Sequence, residues 1–309
     1  VIENFSARAM PSMELGYDVL SEHKPSLIYI TMPGYGTYGP YKDWVAFGPT
    51  VEPMTGLSQM LGYSLQEPRN TAMALMDPIA ATTATTALLT ALREREETGC
   101  GAYVEMSLHE AGIVFNGPWI IEHQLGGKLQ PYGNAHPTMS PHGVYPCLTR
   151  GLGDDADWVA IACQEDKDWQ SLLTLIGADF DPQWDLANRQ LHAADIDEMI
   201  SKWTVHLDKD RVAEQLQNVG IAAGPVASAP DMLAEPHAEN RDFFVPLERQ
   251  NTRVPGNPIH MKGLSSGQWT PCPPLGAHSQ SILQDWLGYT TQQTQNLVDT
   301  GIIAECPPD

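Results

Sequence analysis

The sequence predicts an α/β protein with an open parallel sheet of the Rossmann-like kind. Apolar runs at residues 27–31 and 102–108 are typical of buried strands. They alternate with long helical patterns at residues 78–96 and 110–125. Elements in this order form a parallel sheet covered by helices, because each connection must cross a face of the sheet. A loop rich in glycine and proline follows the first run, at the carboxyl end of a strand where such sheets bind ligands.

A carboxylate precedes the helix predicted at residues 78–96. Pro78 suits the first position of a helix, so Asp77 falls at the N-cap, a position that favours Asp. Capping alone would account for this residue. The same position also suits chemistry, since the positive end of a helix stabilises an anion and a carboxylate can attack an acyl thioester. The residue pattern alone leaves both interpretations open.

The rest of the chain predicts a small α+β unit followed by further short elements. Residues 128–146 are rich in Pro, Gly, His and Asn and indicate a linker or an active-site loop. The α+β unit is expected to contain a strand at 158–163, helices at 165–176, 193–204 and 208–219, and a strand at 221–226. The elements expected after it are strands near 243–248 and 258–262, a proline-rich turn at 271–274, and helices near 277–287 and 291–299.

Charge and hydropathy exclude several classes of partner. The net charge of −21 argues against nucleic acid and against an anionic membrane surface. No apolar run reaches the roughly 18 residues that a membrane-spanning helix needs, and no signal peptide is recognisable. A ligand that carries phosphate must therefore be held locally, by backbone amides and a few basic groups.

The cysteines and histidines indicate neither a disulfide framework nor a metal site. There are five cysteines, an odd number, and none form a C-x-x-C pair, which favours reduced thiols in a cytoplasmic protein. The ten histidines do not have the spacing of a zinc site. His136 and His142 lie in the proline-rich segment and are interpreted as shaping that loop.

Short motifs spread along the chain supply a second line of argument. They are IENF (2–5), LGY (15–17), KPSLIY (24–29), GYG (34–36), GP (39–40), FGPT (47–50), TGL (55–57), MDPIA (76–80), TGCG (98–101), HPTMSPHGVYPC (136–147) and PLGAH (274–278). One such motif means little, but this many in this order are specific. Together they resemble the motifs of the class III CoA-transferase family, also called the CaiB/BaiF family.

The resemblance implies an enzyme that moves CoA from an acyl-CoA thioester to a free carboxylic acid. Asp77 falls where the family has its catalytic aspartate and is the expected nucleophile. The family reaction proceeds through an aspartyl mixed anhydride and an aspartyl-CoA thioester. CoA and acyl-CoA are substrates, and no tightly bound cofactor is expected. Water would hydrolyse the anhydride, so the loop at residues 131–143 is the candidate lid, with a domain linker as the alternative.

The residues expected to bind CoA or substrate are assigned by the same resemblance. The family often has Arg at the position of Ser12, and Arg8, one helical turn away, is expected to replace it. The other matched positions are Asn4, Phe5, Gly34 and Tyr35. Simpler explanations are solvent exposure for Arg8, core packing for the two aromatic residues and turn geometry for Gly34.

Phe47 distinguishes two reactions within the superfamily. The related α-methylacyl-CoA racemases use a His and an Asp to move a proton, and Phe47 occupies the position of that His. Phenylalanine cannot exchange a proton, which favours CoA transfer and leaves Phe47 as a substrate-binding residue. An acyl-CoA racemase or isomerase, and a non-catalytic fragment or subunit of a split enzyme, remain as alternatives. Glu52 is interpreted as solvated and is left outside the expected site.

The resemblance also implies a domain organisation and an assembly. We expect a large CoA-binding domain made of residues 1–135 and 230–309, with a smaller α+β domain of residues 136–229 inserted between them. A homodimer of interlocked chains is expected. The sequence does not begin with Met, and about ninety residues that the family places before IENF, including strands of the CoA-binding sheet, are expected to be missing.

Overall fold

The computed structural model describes residues 1–149, 157–247, 252–263, 270 and 272–304. The chain divides into two compact units, Val1–Val226 and Ala227–Asp309. The assignment of residues 1–135 and 230–309 to one domain remains a prediction, because each unit is described by itself. Within the described residues, no helix combines the length and apolar character needed to cross a bilayer.

A three-stranded parallel sheet lies in the first unit. Its strands, in spatial order, are β1 (Ile2–Glu3), β2 (Ile28–Thr31) and β3 (Ala102–Glu105). Glu3 pairs with Thr31, and Thr31 pairs with Glu105, so the three strands end at one edge. β2 is buried along its whole length, as expected for a central strand. The predicted α/β fold with a parallel sheet is confirmed.

One long helix covers this sheet. The helices up to residue 124 are α1 (Ala9–Ser12), α2 (Tyr17–His23), α3 (Gly48–Val51), α4 (Leu57–Met60), α5 (Met76–Thr98), α6 (Leu108–Phe115) and α7 (Gly117–Gln124), with a 3-10 helix over Glu52–Thr55. Ala84 and Ala91 of α5 are buried against Ile28 and Ile30 of β2. Their small side chains let the helix approach the sheet closely. Gly99 ends α5 in the left-handed conformation.

The start of α5 differs from the prediction. Leu75 is the N-cap, and Asp77 is the second residue of the helix, without a side-chain cap hydrogen bond. The N-cap prediction for Asp77 is therefore wrong. The first N–H groups of a helix have no intrahelical acceptor, so Pro78 is tolerated deeper in the first turn and does not mark the first helical residue. Capping thus does not explain the Asp77 carboxylate.

Two other predicted boundaries after β3 are also wrong. The helix predicted at residues 110–125 is two helices, because Pro118 lacks the N–H that a continuous helix would need. Asn116 lies between them in a non-helical conformation. β3 ends at Glu105 rather than at residue 108, because Ser107 caps α6 by accepting a hydrogen bond from the Glu110 N–H at 3.1 Å.

The second half of the first unit forms an antiparallel sheet packed against helices. Its elements are β4 (His142–Pro146), β5 (Trp158–Ala162), α8 (Asp166–Ile176), α9 (Leu186–Leu191), α10 (Ala193–Thr204), α11 (Lys209–Asn218) and β6 (Ala222–Pro225), with the sheet order β4-β5-β6. Trp169, Leu172 and Ile161 are buried in its core. The elements predicted between residues 158 and 226 are confirmed with small shifts at their ends. α9 was not predicted, and β4 lies in the segment predicted as a loop.

The second unit contains short helices and a hairpin. Its elements are α12 (Ala229–Ala234), α13 (Pro236–Asn240), β7 (Phe244–Leu247), β8 (Thr252–Pro255), α14 (Ser279–Ser281), a π-helix (Ile282–Trp286) and α15 (Thr291–Asp299). The strand predicted near 258–262 is wrong, because β7 pairs with β8 instead. The helix predicted near 277–287 is the short α14 followed by the π-helix, whereas α15 agrees with the prediction. Residue 271 of the predicted turn lies outside the described residues.

Candidate active site

The carboxyl edge of the parallel sheet carries the segments in which the sequence predicts the site. Asn4 directly follows β1, and Gly34 lies in the loop after β2. Backbone hydrogen bonds hold these segments together. The Met32 N–H donates to the Glu3 carbonyl at 3.0 Å, and the His109 N–H at the start of α6 donates to the Gly34 carbonyl at 3.1 Å. The ends of all three strands therefore contribute to one region, where open α/β sheets bind ligands.

The loop after β2 folds back on itself at this edge. A Cβ built on Gly34 would overlap the Cβ of Ala46, so the missing side chain lets the two ends of the loop touch. The Thr37 N–H donates to Oε1 of Glu105 at 2.7 Å, which fixes the loop to the end of β3. The turn-geometry explanation for Gly34 is thus replaced by close packing against Ala46.

Tyr35 lies in a cluster of aromatic side chains. Its ring contacts those of Tyr41, Trp44 and His109, with centroid distances of 5.9, 5.8 and 5.7 Å. Its hydroxyl donates to Sδ of Met54 at 3.1 Å. Burial raises the pKa of Tyr35, so the hydroxyl remains protonated at neutral pH. The cluster gives the loop an apolar, partly exposed surface beside the start of α6.

Asp77 lies directly against the turn that carries Phe47 and Gly48. A Cβ built on Gly48 would overlap Oδ2 of Asp77 and would lie 2.9 Å from the Cβ of Ala74. Only glycine at this position therefore leaves room for the Asp77 carboxylate in its observed orientation. Both Asp77 and Phe47 are exposed, Phe47 to 69%. The structure thus presents a carboxylate in the first turn of a long helix, beside a backbone segment without a side chain.

The remaining predicted residues form a second group at the end of β1. The Phe5 N–H donates to Oε2 of Glu3 at 2.9 Å, and the Phe5 ring is 57% exposed. The core-packing explanation for Phe5 is therefore wrong. Nε of Arg8 lies 3.3 Å from Oδ1 of Asp43, and both side chains are largely exposed. Arg8 thus reaches the loop after β2. The same loop packs against Gly34 through Ala46 and leads to Gly48, which lies against Asp77.

Glu52 was interpreted from the sequence as solvated, and that interpretation is wrong. Its side chain is fully buried in the 3-10 helix after α3. Oε1 accepts a hydrogen bond from the Thr71 N–H at 2.7 Å, and Oε2 lies 2.5 Å from the Thr71 hydroxyl. No local sequence signal marks Glu52 as buried, because its partner Thr71 lies nineteen residues further along the chain.

Two cysteines that could act as nucleophiles are buried thiols, and two histidines that could bind a metal belong to a hydrogen-bonded loop. Burial raises the pKa of Cys147 to about 11 and that of Cys163 to about 12, so both remain neutral thiols at pH 7. Nδ1 of His136 accepts from the Thr138 N–H at 3.2 Å, and Nδ1 of His142 lies 2.6 Å from the Asn134 carbonyl. These bonds hold the loop at residues 131–143. In the part of the chain that the structure describes, no three His, Cys, Asp or Glu side chains are grouped as metal ligands would be.

The candidate lid contacts the segment that leads to Asp77. The Gly133 N–H donates to the Gly62 carbonyl at 2.8 Å. Gly133 has a φ of 58°, and a Cβ built on it would overlap the ring of Tyr63. A glycine is therefore required at this contact for both conformation and space. The loop at residues 131–143 and the segment at residues 61–75 lie against each other at this point.

Known proteins resemble this chain over most of its length. The model of CoA-transferase family III matches residues 1–279. A succinyl-CoA–D-citramalate CoA-transferase from Chloroflexus aurantiacus is 29% identical over 303 residues, which cover 94% of this chain and 73% of that relative. A succinate–glutarate CoA-transferase from Agrobacterium fabrum is 28% identical over 293 residues, covering 92% of this chain and 72% of that relative.

A solved structure supports the fold independently. The crystal structure of a CaiB/BaiF family protein from Brucella suis superposes with a TM-score of 0.80 at 24% identity. The matched region covers 92% of this chain and 74% of that protein. The family match, the relatives named as CoA-transferases and the shared fold agree with one another. This chain belongs to CoA-transferase family III and is an enzyme of that family.

Proposed function

We propose that this enzyme moves CoA from an acyl-CoA thioester to a free carboxylic acid, with Asp77 as the nucleophile. The observation that carries the proposal is the contact between the Asp77 carboxylate and Gly48 at the carboxyl edge of the sheet. The carboxylate is exposed and lies in the first turn of α5. An exposed carboxylate at this edge can meet a substrate without displacing another side chain.

The first half of the reaction loads the enzyme. An Asp77 oxygen attacks the thioester carbonyl of the donor, the C–S bond breaks, and CoA leaves as the thiolate. The product is a mixed anhydride of the donor acyl group and Asp77. The thiolate then attacks the Asp77 carbonyl, the anhydride C–O bond breaks, and the donor acid leaves as a carboxylate. The enzyme now carries CoA as an aspartyl thioester.

The second half passes CoA to the acceptor. The acceptor carboxylate attacks the aspartyl thioester, expels CoA thiolate and forms a second mixed anhydride. The thiolate attacks the acceptor carbonyl, which gives the new acyl-CoA and returns Asp77 as a carboxylate. Atoms and charge balance at each step without a bound cofactor, and CoA is a substrate throughout. The positive end of α5 stabilises the negative charge of the Asp77 carboxylate before the reaction and when it is regenerated.

The binding residues divide into two roles in this proposal. Asn4, Phe5 and Arg8 at the end of β1 are proposed to contact CoA, and Gly34 and Tyr35 are proposed to line the route toward Asp77. The exposed aromatic surface around Tyr35 suits the apolar part of the pantetheine arm. Phe47 is proposed to contact the acyl group, because it is exposed and directly precedes Gly48.

The phenylalanine side chain at position 47 argues against proton transfer as the main activity of the enzyme. A racemase needs two groups that exchange a proton at the α-carbon. Phenylalanine beside Asp77 supplies no such group.

We propose a homodimer as the active assembly, with an acyl-CoA and a small carboxylic acid as the two substrates. The relatives are named for succinyl-CoA and succinate, so dicarboxylic acids are the first substrates to test.

The proposal is tested by transfer between defined substrates. The enzyme is incubated with a panel of acyl-CoA donors that includes succinyl-CoA and with a panel of monocarboxylic and dicarboxylic acids, and new CoA thioesters are identified by mass spectrometry. At least one donor and acid are expected to yield the CoA thioester of that acid, with stoichiometric release of the donor acid. Hydrolysis alone, or deuterium exchange at the α-carbon without any CoA transfer across a broad donor panel, would contradict the proposal.

A further inference from the structure

We propose that Glu52 is a positioning residue that holds the segment leading to Asp77 in its reactive geometry. This inference rests on the proposed function, since it concerns the same carboxylate. Glu52 lies in the 3-10 helix after the Phe47–Gly48 turn, and its side chain is completely buried. A buried carboxylate is costly unless hydrogen bonds satisfy it, so its partners indicate what it stabilises.

The partners of Glu52 lie on the other side of the site, in the segment before α5. Oε1 accepts from the Thr71 N–H at 2.7 Å, and Oε2 lies 2.5 Å from the Thr71 hydroxyl. That hydroxyl also lies 2.8 Å from the Met73 carbonyl. The carboxylate therefore holds both the backbone and the side chain of one residue. Because each oxygen has a separate partner, the contact fixes orientation as well as position.

Backbone contacts carry this constraint from Thr71 to Asp77. The Leu75 N–H donates to the Met73 carbonyl at 2.9 Å, and the Asp77 N–H donates to the Ala74 carbonyl at 3.1 Å. These turns begin α5. A shift of Thr71 would therefore be transmitted through consecutive hydrogen bonds to the backbone of Asp77.

A second set of contacts ties the same two segments together. Nδ2 of Asn70 donates to the Pro49 carbonyl at 3.0 Å, and the Ser58 hydroxyl donates to Oδ1 of Asn70 at 2.5 Å. The Ser58 hydroxyl also lies 3.5 Å from Oε1 of Glu52. Pro49 directly follows Gly48, whose backbone touches Asp77. The network thus sets the distance between the two walls of the site, the Gly48 turn and the start of α5.

The main chain of Glu52 is fixed from a third direction. Its carbonyl accepts from the Thr55 hydroxyl at 2.7 Å, and Nδ2 of Asn116 donates to the Thr55 carbonyl at 3.0 Å. Asn116 lies between α6 and α7 and is buried. The main chain of Glu52 is therefore held on the side of α6 and α7, and its carboxylate reaches across to the segment before α5.

The chemistry of glutamine provides a sharp test of this role. In E52Q, Oε1 can still accept from the Thr71 N–H, while Nε2 donates to the Thr71 hydroxyl and that hydroxyl donates to Met73. The geometry is therefore kept while the charge is lost. In Glu52→Ala the Thr71 N–H loses its acceptor, and the segment keeps its Asn70 contacts but loses the pair of contacts that fixes Thr71. If Glu52 positions the segment, E52Q is expected to be much more active than Glu52→Ala. If Glu52 acts through its charge or transfers a proton, both variants are expected to lose activity alike.

The experiment compares steady-state kinetics of the full chain in its native assembly. Glu52→Ala is expected to lower kcat about tenfold to a hundredfold with KM within about threefold, because a displacement near 1 Å at the reacting group costs this much. E52Q is expected to recover kcat to within about threefold of the unmodified enzyme. Glu198→Ala, at an exposed glutamate of α10, is the matched control and is expected to change nothing. Equal losses in E52Q and Glu52→Ala, or full activity in Glu52→Ala, would overturn the proposal.

Two further measurements decide the matter if Glu52→Ala does not fold or if the enzyme shows no transfer. Thr71→Val removes only the hydroxyl partner and is expected to lower kcat with KM unchanged; full activity would count against the proposal. Hydrogen–deuterium exchange needs no activity and is expected to increase at residues 70–77 in Glu52→Ala, or in Thr71→Val, but not in E52Q. An enzyme without transfer activity would refute the proposed function, whereas unchanged exchange in these variants would refute the role of Glu52.

Discussion

Asp77→Asn is expected to abolish CoA transfer, lowering kcat by about a thousandfold or more. Asparagine keeps the size and shape of the side chain but lacks the anionic oxygen that forms the anhydride. Because Asp77 is exposed and makes no cap hydrogen bond, the substitution has little effect on folding. The measurement is the initial rate of acceptor-CoA formation under saturating substrates, with the melting temperature recorded for the same preparation.

The control for this variant is an aspartate in a similar structural position. Asp195 also lies in the first turn of a helix, α10, and is exposed. Asp195→Asn is expected to retain the rate of the unmodified enzyme. Retention of substantial turnover in Asp77→Asn, with the residue confirmed as asparagine after the assay, would exclude Asp77 as the nucleophile.

Gly48→Ala is expected to lower kcat by about a hundredfold, since a small displacement of the reacting group has an effect of this size. The new Cβ would occupy the space of Oδ2 of Asp77, so the carboxylate must rotate or the Gly48 turn must move. The backbone conformation of Gly48 is accessible to alanine, so the expected loss comes from the collision and not from backbone strain. The kinetic constants of the variant, measured with the same donor and acceptor, check this expectation.

The chain offers a matched control for the glycine variant. Gly117 also stands at the first position of a helix, is also followed by proline, and has open space where a Cβ would go. Gly117→Ala is expected to leave kcat unchanged. Equal rates in Gly48→Ala and Gly117→Ala would mean that the contact between Gly48 and Asp77 has no importance for the reaction.

The sequence predicted the sheet because its signals are local. The apolar run of β2 and the helical pattern of α5 each lie within one stretch of chain, and their alternation requires parallel pairing. Boundaries were predicted less well where a proline was ambiguous. Pro78 is compatible with several positions in a first turn, and Pro118 broke a helix whose apolar pattern continued through it.

The contacts of the candidate site could not be predicted, because they join segments far apart in sequence. Asp77 was identified by resemblance, but its neighbour Gly48 became visible only when the two segments were placed together. Glu52 carries no local signal of burial, since glutamate is usually solvated and its partner Thr71 is nineteen residues away. Exposure also decided the interpretation of Phe5, whose ring was as compatible with a core as with a binding surface.

The most direct test of the account follows oxygen through the reaction. An acceptor acid labelled with oxygen-18 in both carboxylate positions forms an anhydride with Asp77, and attack of CoA on the acceptor carbonyl leaves one labelled oxygen on the Asp77 side chain. After turnover the enzyme is digested, and the peptide that contains Asp77 is analysed by mass spectrometry. We predict that this peptide gains oxygen-18 only when both donor and acceptor are present. Fragmentation of the peptide is expected to place the label on the Asp77 side chain. Formation of the acceptor-CoA product with no label on Asp77 would contradict the account.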